Sequence, residues 1–141
     1  EIKDNYKQVF SPQTAYQITS LLEGVIKRGT GKKLRDLNLN LAGKTGTTQI
    51  NYATDRVEYV SSFVGYFPAN NPKYSCIVVI SKPNKAIGYY GNKVAAPVFK
   101  KIAKSVINNL PNELKLNIDD INRLSDLMNQ PSDNTKVLDK S

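Results

Sequence analysis

The segment YSCIVVISK, residues 74–82, constrains the fold of this chain more than any other. Its consecutive apolar residues, from Ile77 to Ile80, place apolar side chains on both faces of a β-strand. A strand of this kind is typical of the middle of a sheet, where other elements cover each face. Pro83 then ends the segment, because proline cannot donate a hydrogen bond to a sheet. We therefore predict a strand over residues 74–82 that is covered on both sides.

Two more strands are expected before it, over residues 39–48 and residues 59–67. The second of these reads YVSSFVGYF and is ended by Pro68. The sequence PANNPK then separates it from residues 74–82, and its Pro and Asn residues are typical of a turn. These two strands are therefore predicted to form a hairpin.

A helix is predicted before the strands, in SPQTAYQITSLLEGVIKRGTG. Ser11 is a good N-cap, Pro12 suits the first helical position, and Gly29 supplies the end. Apolar residues at helical spacing predict one buried face. Its members are Ile18, Leu21, Leu22, Val25 and Ile26. The following TGKKLRDLN is expected to be a basic loop.

A second helix is predicted in AAPVFKKIAKSVINNLP, with its apolar stripe around residues 99–110. The stripe consists of Phe99, Ile102, Ala103, Val106, Ile107 and Leu110. One helix before the antiparallel strands and one after them along the chain predict an α+β fold, in which an antiparallel sheet of three strands packs against helices. Residues 111–141 are polar and are expected to form a tail with a short amphipathic helix over residues 118–129.

The stretch LAGKTGTTQ, residues 41–49, lacks the bulky apolar side chains that a core strand needs. Alternation puts Lys44 and Gly46 on one face, and Thr45 and Thr47 on the other. Such a strand suits the border of a cleft, where its free backbone edge can pair with an extended peptide and its lysine and hydroxyls can hold a carboxylate. The alternative is an exposed polar edge strand that its lysine protects from aggregation.

Composition narrows the chemistry. The chain has no His, which excludes Ser-His-Asp and Cys-His catalysis, and Cys76 is its single cysteine, so no internal disulfide is expected. The net charge of +8 could attract an anionic polymer, but the lysines are scattered and no Arg-rich run indicates nucleic acid. No apolar run approaches the ~20 residues that cross a bilayer. Because the chain begins at Glu1 without Met, we expect it to be a piece of a longer protein.

In its motifs the chain resembles the penicillin-binding proteins, the D,D-transpeptidases that cross-link peptidoglycan. Lys-Thr-Gly is one of their three active-site motifs. The blocks LAGKTGTTQ, SSFVGYFPANNPKYSCIVVISKP and YYGNKVAAPVFKKI follow the family's order, and the likeness covers roughly residues 9–110. SFVGYFPA and VAAPVF are similar to the class B, monofunctional branch, whose members serve cell division or elongation.

The resemblance implies roles for the strand residues. Lys44 would help bind the substrate carboxylate and join the proton network. Thr45 and Thr47 would contact the carboxylate of D-alanine or of a β-lactam, and the backbone N–H of Thr47 would be one of two oxyanion-hole donors. Gly46 and Gln49 are expected to be further substrate-binding residues of the same strand. The resemblance implies no metal, nucleotide or other cofactor.

The chain departs from the family in what it lacks. No serine begins a Ser-x-x-Lys motif, so the nucleophile and its lysine base are absent. A Ser-x-Asn string, Ser132-Asp133-Asn134, follows Lys-Thr-Gly instead of preceding it, and we attribute it to coincidence. We therefore expect residues 1–110 to be the C-terminal portion of a transpeptidase domain that is inactive in isolation.

Three further expectations complete this interpretation. The partners would be peptidoglycan stem peptides, β-lactams and the missing N-terminal part of the domain, and the fragment could form a homodimer through an exposed strand edge. The whole protein would be anchored at the bacterial cell envelope, facing the periplasm or the exterior, by a segment outside this chain. The alternatives are a non-catalytic basic module that binds peptidoglycan or another anionic polymer, and a penicillin sensor or β-lactamase relative, against which VAAPVFKKI argues.

Overall fold

The computed structural model describes residues 7–51 and 57–110. Two helices and three strands follow one another along the chain, with a short 3-10 helix after the first helix. The elements are α1 (Pro12–Lys27), the 3-10 helix (Lys32–Leu37), β1 (Ala42–Ile50), β2 (Glu58–Phe67), β3 (Tyr74–Ser81) and α2 (Gly91–Asn108). The predicted α+β fold and its element order are confirmed.

The three strands form one antiparallel sheet in the order β1-β2-β3. Gly46 is paired with Ser62 across β1 and β2, and Ser62 is paired with Val79 across β2 and β3. The predicted hairpin of the second and third strands is therefore confirmed. β1 begins later than the predicted residue 39, because the carbonyl of Asn40 accepts a 2.8 Å hydrogen bond from Ala69 in the turn that follows β2.

One prediction about β3 is wrong for the described residues. β3 lies at an edge of the sheet rather than in its middle. Val78 is 7% exposed, whereas its neighbours Ile77 and Val79 are 65% and 56% exposed. The apolar pattern identified two apolar faces correctly, but the described residues cover one of them.

The core lies between that covered face and α2. Phe63 and Phe67 of β2 are buried against Phe99 of α2, and the rings of Phe63 and Phe99 meet edge to face with centroids 4.7 Å apart. Gly65 permits this packing, because a Cβ there would lie 3.0 Å from the Phe99 ring. α2 begins at Gly91, whereas the stretch from which it was predicted begins at Ala95. The sequence did not indicate the first turns as helical, because Gly91 and Pro97 are poor helix formers.

α1 begins and ends as predicted but is covered less than predicted. The Oγ of Ser11 accepts a hydrogen bond from the Thr14 N–H at 3.2 Å, as an N-cap does. Of the predicted apolar stripe, Ile26 is buried, whereas Ile18 is exposed and Leu21 is 73% exposed. In the part of the chain that the structure describes, no helix is both long and apolar enough to cross a membrane.

The predicted basic loop after α1 is the 3-10 helix. Leu34 of this helix is buried in the core. The sequence did not predict this burial, because charged residues surround Leu34 in KKLRDL. The Nζ of Lys100 on α2 lies 2.5 Å from Oδ2 of Asp36, and this hydrogen bond lowers the pKa of the Asp36 carboxyl. The helix predicted over residues 118–129 and the Ser132-Asp133-Asn134 string lie outside the described residues.

Candidate functional site

A cleft of about 310 Å³ opens along the outer edge of β1, opposite the edge that pairs with β2. Its walls come from the start of β1, from Thr30 after α1 and from the first turn of α2. The lining residues are Thr30, Lys44, Thr45, Gly46, Thr47, Tyr90, Gly91, Asn92 and Lys93. Four of the five residues predicted for the site therefore line one cleft, and Gln49 lies farther along β1, outside the lining.

The alternation predicted for β1 is observed in its register with β2. Gly46 is opposite Ser62, on the sheet face that turns away from α2, whereas Thr47 is opposite the buried Ser61. A Cβ at position 46 would lie 2.5 Å from the Ser62 Oγ, so the Ser62 hydroxyl would have to rotate away to admit a larger residue.

Lys44 supplies positive charge to the cleft. Its side chain is exposed, and its Nζ donates a 2.7 Å hydrogen bond to the carbonyl of Thr45. Among the residues that the structure describes, no carboxylate forms an ion pair with this ammonium group. The charge is thus available to an anionic ligand, to which an ammonium group can donate further hydrogen bonds.

The two threonines that flank Gly46 are held by partners that are distant in sequence. The hydroxyls of Thr30 and Thr45 are 2.8 Å apart, which ties β1 to the end of α1. The backbone N–H of Gly91 donates a hydrogen bond of 3.1 Å to the Oγ1 of Thr47, which ties β1 to α2. No local pattern in the sequence indicated either contact.

An aromatic stack stands beside the cleft. The rings of Tyr59 and Tyr89 lie 4.1 Å apart and nearly parallel, and the rings of Tyr89 and Tyr90 lie 4.4 Å apart. The hydroxyls of Tyr89 and Tyr90 are hydrogen-bonded at 3.0 Å, and this bond with Tyr89 raises the pKa of Tyr90. Ser61 donates a hydrogen bond from its Oγ to the carbonyl of Tyr89. The residues that lead into α2 are thereby fixed to β2.

The electrostatics of the cleft favour an anion. Lys44 and Lys93 both line it, and the first turn of α2 brings the positive end of a helix dipole to the same place. The Oδ1 of Asn92 is buried and has no hydrogen-bond partner among the described residues. Within residues 7–51 and 57–110, no group of three or more His, Cys, Asp or Glu residues could hold a metal ion.

These features suit recognition of an extended ligand that ends in a carboxylate. The open edge of β1 can pair with a peptide backbone, while Lys44 and the hydroxyls of Thr45 and Thr47 are hydrogen-bond donors for the terminal charge. The polar pattern of this strand predicted either the border of a cleft or an exposed polar edge. It missed the α2 wall and Thr30, because only the folded chain brings them to β1.

The family model described as the penicillin binding protein transpeptidase domain matches residues 2–104. Among curated proteins, the chain is 36% identical to peptidoglycan D,D-transpeptidase FtsI of Buchnera aphidicola, over 72% of this chain and 18% of that protein. It is 34% identical to stage V sporulation protein D of Bacillus subtilis, over 74% of this chain and 16% of that protein. The chain therefore spans about a sixth of the length of these relatives.

Two solved structures have a similar fold. The transpeptidase domain of FtsI4 D,D-transpeptidase from Legionella pneumophila matches with a TM-score of 0.60 and 34% identity, over 69% of this chain and 36% of that one. The transpeptidase domain of penicillin-binding protein 3 from Burkholderia pseudomallei matches with a TM-score of 0.62 and 31% identity, over 74% of this chain and 34% of that one.

Proposed function

The chain belongs to the penicillin-binding protein transpeptidase family, and we propose that its residues 1–110 form the C-terminal portion of a transpeptidase domain that cross-links peptidoglycan. The observation that carries this proposal is the cleft in which Lys44, Thr45, Gly46 and Thr47 meet the first turn of α2. The cleft combines an open strand edge with positive charge and hydroxyl donors. A stem peptide that ends in D-alanine has the matching extended backbone and terminal carboxylate.

Each residue of the strand has a role in this proposal. Lys44 binds the substrate carboxylate and takes part in proton transfer, while the hydroxyls of Thr45 and Thr47 donate hydrogen bonds to the same carboxylate. Gly46 allows the substrate backbone to approach β1 closely. The substrate contact predicted for Gln49 stays a prediction, since this residue lies outside the cleft lining.

The reaction is serine acyl transfer. A serine outside this chain attacks the penultimate D-alanine carbonyl, the terminal D-alanine leaves, and the amine of a neighbouring stem peptide releases the acyl-enzyme. The backbone N–H of Thr47 supplies half of the oxyanion hole. Loss of one such donor typically costs ~3–4 kcal/mol of transition-state stabilisation. β-Lactams acylate the same serine and present a carboxylate to the same strand.

The isolated chain is expected to be inactive, because none of its serines begins a Ser-x-x-Lys motif and the activated nucleophile is therefore missing. The test is incubation with a fluorescent penicillin followed by denaturing electrophoresis. We expect no labelled band at the mass of the chain. A labelled band would show that a nucleophile within these residues had been overlooked.

The location follows from the substrate. Peptidoglycan lies outside the cytoplasmic membrane, so we propose that the complete transpeptidase works at the bacterial cell envelope, on the periplasmic or exterior side, held by an anchor outside this chain. The substrate partner is the stem peptide, and the structural partner is the N-terminal part of the same domain. Neither assignment involves nucleic acid.

The experiment that tests the proposed function is replacement of Lys44 in a complete transpeptidase that carries this segment. Lys44→Ala should lower the second-order rate constant of acylation by penicillin at least about tenfold, since a hydrogen bond to a charged group is worth ~1.5–3 kcal/mol. The matched control is Lys101→Ala, which removes an exposed lysine of α2 that does not line the cleft. Equal rate constants for the two variants would contradict the proposed site and favour a polar edge strand.

A further inference from the structure

The first residue of α2 lies directly on the backbone of the candidate substrate-binding strand. A Cβ added to Gly91 would come against the carbonyl oxygen of Ser62 and would lie 2.6 Å from the carbonyl oxygen of Gly46. It would also lie 3.3 Å from the Gly46 nitrogen. Because all three atoms belong to the backbone, no rotation of a side chain can make room for a larger residue at position 91.

This close approach brings the Gly91 N–H to the hydroxyl of Thr47. The N–H donates to Oγ1 at 3.1 Å, so the hydroxyl oxygen is the acceptor in this bond. A threonine hydroxyl has one proton to donate and lone pairs that accept. With an acceptor position occupied by Gly91, the hydroxyl proton has to point elsewhere. Thr47 is exposed in the cleft, where a ligand oxygen could receive that proton.

The helix start that carries Gly91 is firmly held. Later in α2, Ala95, Phe99 and Ala103 are buried in the core. Before Gly91, Tyr89 is stacked on Tyr59, and its carbonyl accepts the hydroxyl of Ser61. The position of the Gly91 N–H is therefore set by the core and by β2, not by the ligand.

We propose that Gly91 is a positioning residue for the transpeptidase reaction: its N–H holds the Thr47 hydroxyl as a hydrogen-bond donor to the substrate carboxylate. This inference rests on the proposed function and deepens it. It predicts discrimination between an anionic and a neutral ligand at this point. A carboxylate oxygen only accepts hydrogen bonds, whereas a primary amide also presents N–H donors. A hydroxyl that is already held as a donor cannot pair well with those N–H groups.

The test uses a complete transpeptidase that carries this segment and compares two ligands, a penicillin and its analogue in which the carboxylate is a primary amide. The readout is the ratio of their acylation rate constants. Gly91→Ala should lower this ratio about tenfold, because hydrogen bonds to charged groups are worth ~1.5–3 kcal/mol and each ~1.4 kcal/mol is a factor of ten. The matched control is Gly24→Ala in α1, whose added Cβ would meet the end of the Arg28 side chain, and it should leave the ratio unchanged.

Three variants separate positioning from packing. Thr47→Val should lower the ratio as much as Gly91→Ala does, whereas Thr47→Ser should retain it. The double variant Gly91→Ala with Thr47→Val should fall no further than either single one, because both changes break the same bond. Full additivity, or an equal loss for the acid and the amide, would overturn the inference.

A second measurement does not depend on whether Gly91→Ala folds. In Thr47→Val, the amide hydrogen of Gly91 loses its acceptor and should exchange with solvent faster than in Thr47→Ser. Equal exchange in the two variants would overturn the inference. If Lys44→Ala leaves acylation unchanged, the proposed function fails. If Lys44→Ala lowers acylation while Gly91→Ala preserves the ratio, the positioning role fails alone.

Discussion

The two faces of the sheet carry apolar residues at their centre, but they differ in what lies on them. On one face, Phe63 and Val78 are buried beneath α2. On the other, Val64, Ile77 and Val79 form a row across β2 and β3 that is about half exposed or more. The apolar pattern of a strand thus reports which faces avoid water, and not whether nearby residues of the same chain cover them.

The uncovered face has a simple explanation in the sizes of the related domains. The chain spans about a third of each of the two solved transpeptidase domains that it resembles. We propose that the remaining part of the domain covers this face and pairs with the free edge of β3. Leu21 on α1 is also 73% exposed among the described residues, unlike Ile26 of the same predicted stripe, which is buried.

The largest effect expected of a single substitution concerns the covered face. Phe99→Ala in a complete transpeptidase should lower the free energy of unfolding by ~3–5 kcal/mol, since it removes a ring that fills the core between α2 and β2. Denaturant unfolding measures this. Val98→Ala, at a neighbouring exposed position of α2, is the control and should cost about 1 kcal/mol or less. Similar costs for the two changes would contradict the assignment of the core to this face.

The uncovered face should behave differently in the isolated chain and in the complete domain. If ~400 Å² of apolar surface stays in water, the isolated chain forgoes about 10 kcal/mol, which is comparable with the stability of a domain. We therefore predict that the chain is ordered only when a second copy or another chain covers the edge of β3. Sedimentation across a range of concentrations should show a homodimer that Ile77→Lys weakens. A cooperatively folded monomer at micromolar concentration, with residues 111–141 deleted, would contradict this.

The smallest expected effect is electrostatic and concerns the ion pair between Asp36 and Lys100 of α2. The hydrogen bond from Lys100 lowers the pKa of Asp36. Because the folded-state pKa is depressed, the ion pair stabilises the fold above the unfolded-state pKa of Asp36, and this contribution is lost as the pH falls through the folded-state value. An NMR titration should show the lowered pKa, and Lys100→Met should raise it. An unchanged pKa in that variant would show that Lys100 is not the cause.

Much of the fold could be predicted because its signals are local. Ser11 and Gly29 mark the ends of α1, and the turn between β2 and β3 contains the residues that turns require. The resemblance to the transpeptidase family is what favours a cleft for Lys44, Thr45 and Thr47, since the polar strand alone also suits an exposed edge. The site assignment itself stays a prediction until a ligand is seen there.

The rest could not be predicted because it depends on approaches between distant parts of the chain. Gly91 contacts Thr47, and Thr30 contacts Thr45, without any spacing that would indicate either pair. Leu34 is buried although charged residues surround it in the sequence. In each case packing of the whole chain, and not local periodicity, decides the contact.

The central claim is that the strand from Lys44 to Thr47 receives the carboxylate of the substrate. The most direct measurement is a crystal structure of a complete transpeptidase that carries this segment, acylated by a penicillin. We predict that a carboxylate oxygen lies within about 3.2 Å of the Thr47 Oγ1 and close to the Lys44 ammonium, with the Gly91 N–H still bound to that hydroxyl. An acyl-enzyme whose carboxylate points away from β1 would contradict the account.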